Sequence, residues 1–136
     1  ASQPRWNLAC GPAEPEGAKR LEPGVLLALN DEDIAWHTAA KLPVIPYAPT
    51  ANGFFATGGT RPEKWRTPLG LARLERAQKL AAELGATPNQ VALAWLRQHP
   101  FPVFPILGTS SIEHLRDALG AEAVTLTPQQ AAWLRG

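Results

Sequence analysis

Apolar and polar positions along this chain come in short blocks, set apart by fourteen prolines and eleven glycines. The elements can be placed by reading the apolar period between these breaks. Residues 1–9 read as extended, with Trp6 and Leu8 on one face. The stretch 11–24, rich in Pro, Gly and Glu, reads as a surface loop. A helix is expected over residues 31–41, because Asn30 can accept an orphan N–H and Asp31, Glu32 and Asp33 suit the positive end of the helix dipole. Ile34, Ala35, Ala39 and Leu42 would supply its buried face. Residues 42–47 form a proline-edged apolar run too short for three helical turns, which reads as a buried parallel strand. The loop after it, 49–67, carries Asn52, Gly53, Gly58, Gly59 and Pro62, and its length in a compact domain suggests a function.

Later segments open with shared chemistry. Thr87-Pro88-Asn89-Gln90 and Thr127-Pro128-Gln129-Gln130 each offer a capping Thr, a proline at the first helical position and a Gln that can reach back to the cap. Ser110-Ser111-Ile112-Glu113 reads as a further capping box. Thr67-Pro68 opens a helix with apolar positions Leu69, Ala72, Leu80 and Leu84 that stops at Gly85. Residues 101–107 make a second apolar strand, and Val124-Thr125 is strand-like. Strands alternating with helices predict an α/β fold with a parallel sheet.

Composition narrows the classes. A chain of 136 residues is one small domain, or about half of an eightfold barrel. With 45% hydrophobic and 18% charged residues it is foldable throughout. Thirteen Lys and Arg against twelve Asp and Glu leave a charge of +1, which offers no footprint for nucleic acid or an anionic membrane. The single Cys10 excludes an internal disulfide framework and fits a reducing, cytoplasmic setting. No apolar run approaches the ~18 residues of a membrane span. The absence of methionine hints that the chain begins inside a longer one.

Candidate chemistry is sparse. His37, His99 and His114 sit in no triad or metal spacing, and His37 and His99 read as solvated or capping residues. Cys10, with Arg5 as its one basic neighbour, reads as an inert thiol. The tryptophans at 6, 36, 65, 95 and 133 are spread over separate elements, which suggests packing, although Trp65 could line a pocket. Gly108, Thr109, Ser110 and Ser111 follow an apolar strand and open a helix. There backbone N–H groups, hydroxyls and the dipole could hold a phosphate; the same pattern also serves as a plain cap. His114, one turn along, could add a donor.

Several runs together resemble the C-terminal half of aldo-keto reductases, in order and spacing: QPRWNL at 3–8, LPVIPYAPTANGFF at 42–55, TPNQVALAWL at 87–96, PILGTSSIEHL at 105–115 and VTLT at 124–127. The resemblance implies a partial (β/α) barrel over residues 1–136, comprising the last three parallel strands and their helices. It also implies hydride transfer between NADP(H) and a carbonyl or alcohol. By this resemblance Gln3 would hydrogen-bond the nicotinamide carboxamide from the end of the sixth strand. Tyr47 would stack under the nicotinamide, with Ala48, Thr50 and Asn52 covering the pyrophosphate. Gly108, Thr109 and Ser110 would hold the adenosine 2′-phosphate, with His114 and Asp117 at positions contacting that phosphate and the adenine.

The family's catalytic Asp, Tyr, Lys and His have no counterpart here, and no metal site is expected. Gly108 and His114 stand where relatives often carry Lys or Arg, and Ala118 replaces an asparagine on the adenine, so NAD stands beside NADP as cofactor. The implied protein is a cofactor-binding part, inactive alone, that docks on a complementary N-terminal half or self-associates. The alternative is a non-catalytic nucleotide-binding or scaffold module.

Overall fold

The structure is a computed structural model that describes residues 1–10 and 29–136. The expected loop at 11–24 lies outside the described residues. Helices dominate the rest: α1 (Asp31–Ala40), α2 (Pro68–Leu84), α3 (Pro88–Arg97), α4 (Ile112–Gly120) and α5 (Pro128–Arg135), with short 3-10 turns at Ala51–Gly53, Glu63–Trp65 and Ala121–Ala123.

The strands expected at 42–47 and 101–107 are present only as isolated parallel bridges, Ser2 with Val44, Arg5 with Tyr47 and Val44 with Val103. Proline explains why. The central segment donates from Val44 to Pro102 at 2.9 Å and from Ile45 to Ser2 at 2.8 Å, alternating between its neighbours. By that alternation the missing N–H of Pro46 would have pointed toward the third segment, and that of Pro4 toward the second. The prolines still accept through their carbonyls: Tyr47 donates to Pro4 at 3.0 Å and Ile106 to Pro46 at 2.9 Å. The three segments therefore keep a parallel register without a continuous ladder. Val124 and Thr125 form no strand; Leu126 beside them is buried instead.

Helix starts follow their local chemistry. Thr67, Thr87 and Thr127 each accept from the N–H three residues on, and Gln90 and Gln130 close the boxes at Thr87 and Thr127. Asn30 and Asp33 form a box on α1. The cap of α4 is Ser111, one residue later than expected, and it accepts from the His114 N–H. Gly85 ends α2 in the left-handed conformation that glycine adopts without strain.

Burial follows the helical period with two corrections. On α2 the buried positions are Gly70, Arg73, Leu74, Ala77, Leu80 and Ala81, while Leu84 is exposed. On α1 only His37 is buried; Ala35, Ala39 and Leu42 are exposed, and Ile34 is partly buried. Helix α3 is buried from Val91 to Leu96 and forms the centre of the core, packed between α2 and α4. Trp6 carries the first segment into this core, its ring 5.7 Å from Trp95 and 4.5 Å from His99.

Candidate functional site

The bridged segments run in one direction, so the loops leaving their C-terminal ends emerge on one side of the molecule. The register that pairs Val44 with Val103 brings Tyr47 level with Ile106, and hence the loop after Tyr47 beside Gly108. Pro4, Trp6, Val44 and Pro46 turn inward to the helices and are buried. Their neighbours turn the other way: Gln3 is exposed, and Tyr47, Phe104 and Ile106 are 41%, 60% and 40% exposed. Gln3 lies two residues before the rung that joins Arg5 to Tyr47, so it sits within the segment and not at its end.

The loop after Tyr47 is held in an unusual backbone. Ala48, Ala51 and Asn52 have φ of 50°, 51° and 55°, a left-handed region that costs an L-residue about 1–2 kcal/mol. Its anchor is Asn7, fully buried, whose side-chain amide donates to the Ala48 carbonyl at 3.0 Å. The same side chain accepts from the N–H groups of Ala9 and Cys10 at 3.0 and 3.1 Å, so its oxygen is fully engaged while its nitrogen holds the loop. Phe54 and Phe55 are buried with rings 5.4 Å apart, pinning the loop's far side. Thr50 precedes the turn at Ala51–Gly53, and its carbonyl accepts from Gly53 at 3.1 Å.

At the second loop Thr109 Oγ1 accepts from the Ser111 N–H at 3.1 Å, and Ser111 Oγ accepts from His114 N–H at 3.3 Å. Because Ser111 is the cap, the exposed hydroxyl of Ser110 takes no part in that bond. Gly108 has open space where a side chain would be, leaving its backbone approachable. The His114 side chain is exposed. Asp117 is engaged differently from the sequence expectation: its carboxylate accepts from Thr87 Oγ1 and from Asn89 Nδ2, both at 2.7 Å, which ties α4 to the start of α3.

The other histidines are structural. His37 is buried, with Nδ1 2.9 Å from the Leu42 carbonyl and its ring 5.5 Å from Phe101, where sequence had suggested a solvated or capping residue. His99 sits among Trp6, Trp95 and Phe101, and this burial pushes its pKa below the ordinary value.

Sequence reasoning missed Asn7 and Arg73. Arg73 is buried and donates through Nε to the Arg135 carbonyl at 2.8 Å and through Nη1 to the Leu8 carbonyl at 3.0 Å and the Cys10 carbonyl. Desolvation, with help from the charges of Arg135 and Arg76, lowers its pKa to about 10. An asparagine entering a turn is a local signal for Asn7; nothing local marks Arg73. Among the described residues no three or more His, Cys, Asp or Glu side chains converge as a metal site, and no helix is long and apolar enough to cross a membrane.

The sequence profile described as the Aldo/keto reductase family matches residues 28–136. Pyridoxine 4-dehydrogenase of Escherichia coli (strain K12) is 42% identical over 130 residues, covering 96% of this chain and 37% of that protein. The chain thus spans well under half the length of this curated relative. A thermostable aldo-keto reductase solved with the inhibitor epalrestat superposes with a TM-score of 0.59 at 24% identity, over 77% of this chain and 33% of the other. The aldose reductase of Schistosoma japonicum gives 0.53 at 19% identity, over 77% and 28%. At these identities both structures speak to the fold alone: this chain shares it with a portion of each.

Proposed function

The chain belongs to the aldo/keto reductase family, and on that premise we propose that it supplies the C-terminal, cofactor-binding part of an oxidoreductase acting between NADP(H) and a carbonyl or alcohol. The observation that carries this reading is the convergence at one end of the bridged segments. There an exposed aromatic ring at Tyr47, a strained loop at 48–53 and an open glycine at Gly108 lie on neighbouring chain crossings.

These residues fit a nicotinamide dinucleotide. The exposed Tyr47 ring offers a flat surface for stacking, and Gln3, on the same face, offers a carboxamide that can donate and accept. Ala48, Thr50 and Asn52 cover the pyrophosphate. Gly108 admits close backbone approach, and Thr109, Ser110 and His114 hold the 2′-phosphate at the dipole end of α4. Asp117, already engaged by Thr87 and Asn89, would meet the adenine only with its remaining lone pairs. When bound, the nicotinamide gives or takes the hydride. NAD is the alternative cofactor, since no Lys or Arg stands at Gly108 or His114.

The exposed face of Tyr47, Phe104 and Ile106 supports a partial barrel whose inner face awaits a complementary N-terminal half or a second copy. The chain alone is inactive in this reading, because it lacks the acid that contributes about 10²–10⁴-fold to such reactions. A cytoplasmic setting remains the expectation from its single, buried Cys10.

Titrating NADPH against tryptophan emission tests the cofactor site. Binding in the micromolar range supports it, and no binding at millimolar cofactor overturns it. Oxidation of NADPH by the chain alone with a panel of aldehydes would overturn the inactivity. Binding without turnover even beside a complementary half favours the second reading, a non-catalytic nucleotide-binding or scaffold module.

A further inference from the structure

We propose that Asn52-Gly53 is a self-modifying site, at which the Asn52 side-chain amide becomes a carboxylate when the turn at Ala51–Gly53 opens. Its consequence for binding rests on the cofactor reading; the chemistry does not. Asn52 is exposed in the loop after Tyr47. The other asparagines are held differently. The Asn7 and Asn89 amides are buried and donate to the Ala48 carbonyl and the Asp117 carboxylate. Asn30 accepts from the Asp33 N–H as the cap of α1. These three precede residues with side chains, Leu8, Gln90 and Asp31, whereas Asn52 precedes a glycine. Gly53 brings no side chain to hinder attack by its nitrogen, and a Cβ there would meet no atom within 4 Å.

The reaction needs only water. The Gly53 backbone nitrogen attacks the side-chain carbonyl carbon of Asn52 and gives up its proton. The carbon–nitrogen bond of the side-chain amide breaks, and the amide nitrogen leaves as ammonia with that proton, which closes a cyclic imide. Water then opens the imide at either carbonyl and leaves Asp or its β-linked isomer, with nothing oxidised or reduced. The folded turn opposes the first step. Asn52 has ψ of 37°, which turns the Gly53 nitrogen away from the Asn52 side chain, and the Gly53 N–H donates to the Thr50 carbonyl at 3.1 Å. Rotation about the Asn52 Cα–C bond and loss of that hydrogen bond must come first, so the rate reports how often the turn opens. The left-handed φ of Ala48, Ala51 and Asn52 favours opening, and the Asn7 bond to Ala48 opposes it. The product carries a negative charge in the loop that would cover the pyrophosphate, and the isomer also lengthens the backbone by a methylene. Conversion would therefore weaken the site, and a bound dinucleotide that keeps the turn closed would delay it.

The test incubates the full chain at mildly alkaline pH and follows each asparagine by peptide mass mapping, with an isoaspartyl-specific methyltransferase to mark the isomer. The same chain in urea gives the unprotected rate at Asn52, and urea unfolding gives the fraction unfolded under native conditions. The folded chain is expected to convert Asn52 ahead of Asn7, Asn30 and Asn89, and faster than the unprotected rate multiplied by the unfolded fraction. Asn7→Ala, corrected for its own unfolded fraction, should speed this by about two- to tenfold. NADPH at about a hundred times its dissociation constant should slow it by about tenfold or more. Asn52→Asp, a carboxylate from the outset, should bind NADPH about two- to fivefold more weakly than the parent. Conversion no faster than the unfolded fraction allows would overturn the proposal. NADPH that quenches the tryptophans without slowing Asn52, and binds Asn52→Asp as it binds the parent, would overturn the tie between this loop and the ligand. Conversion in a chain that binds no NADPH would overturn the cofactor reading and leave the modified site standing.

Discussion

The side-chain amide of Asn7 donates to the carbonyl of Ala48 at 3.0 Å, joining residues 41 positions apart at the point where the chain leaves its central segment. Ala48 has a left-handed φ of 50°, and the residues that would cover a pyrophosphate come directly after it. One buried side chain thus couples the turn after the first segment to the conformation of the candidate cofactor loop.

Replacing Asn7 should separate these effects. Asn7→Ala removes the donor to Ala48 and the acceptor for Ala9 and Cys10; the Ala9 N–H loses its acceptor, while the Cys10 N–H keeps the Asn7 backbone carbonyl and the Ala48 carbonyl keeps the Ala51 N–H, so a cost of about 1–3 kcal/mol is expected. Asn7→Asp keeps the acceptor and loses the donor. Burying its charge against the Ala48 carbonyl should destabilise it at least as much as Asn7→Ala, and both variants should weaken NADPH binding, read by urea unfolding and cofactor titration. Unchanged cofactor affinity in both variants would show that the loop holds its shape without this bond.

Gly70 gives a prediction whose sign separates two rules. Helix propensity alone says that Gly70→Ala inside α2 should stabilise by up to about 1 kcal/mol. A Cβ there would, however, strike the Trp65 carbonyl, which is backbone and cannot swing aside. Destabilisation by about 1–3 kcal/mol is therefore expected, measured as a lower thermal midpoint. Stabilisation would mean that the turn at Glu63–Trp65 shifts freely.

His99 links stability to acid. Its folded pKa is lowered, chiefly by burial and secondarily by the Arg135 charge, while hydrogen bonds to the backbone carbonyls of Leu96 and Trp95 oppose the shift. As pH falls below the ordinary value of 6.5, the unfolded chain binds the proton first, so stability should decline over that window. His99→Phe keeps a ring against Trp6, Trp95 and Phe101 but cannot titrate. The difference in urea midpoint between parent and variant should shrink or change sign from pH 7 to 5; a constant difference would remove His99 from the acid response.

How far the sequence could be read depends on the range of the interactions. The threonine caps at 67, 87 and 127 were legible because donor and acceptor lie three residues apart. The Ser110 to Ser111 shift was not: two adjacent serines offer the same hydroxyl, and the packing of Ala118 and Ala121 into the core accompanies the later frame. The apolar runs at 42–47 and 101–107 marked the segments correctly, but the effect of each proline on the ladder depends on which neighbour its missing N–H faces. Arg73 reaches carbonyls at Leu8, Cys10 and Arg135, more than sixty positions away in either direction, and no local pattern encodes such a bond. The candidate cofactor loops at 48–52 and 108–110 came from family resemblance, whereas Asn7 and the Asp117 link became visible only once the segments were paired.

The exposed inner face makes the last prediction. Tyr47, Phe104 and Ile106 point away from the helices and stay largely in water, which costs about 25 cal/mol per Å² of apolar surface that a partner could cover. The isolated chain is therefore expected to associate with itself at high concentration, seen as a rise in weight-average mass by sedimentation. Phe104→Asn with Ile106→Thr should return it to a monomer. These side chains are already exposed, so the same pair of changes should leave the unfolding midpoint of dilute protein within about 0.5 kcal/mol of the parent. Such a split, mass altered and stability kept, would identify the face as an interface and not as part of the core. A parent that remains monomeric throughout would show that the face tolerates water and would overturn its proposed role as an interface.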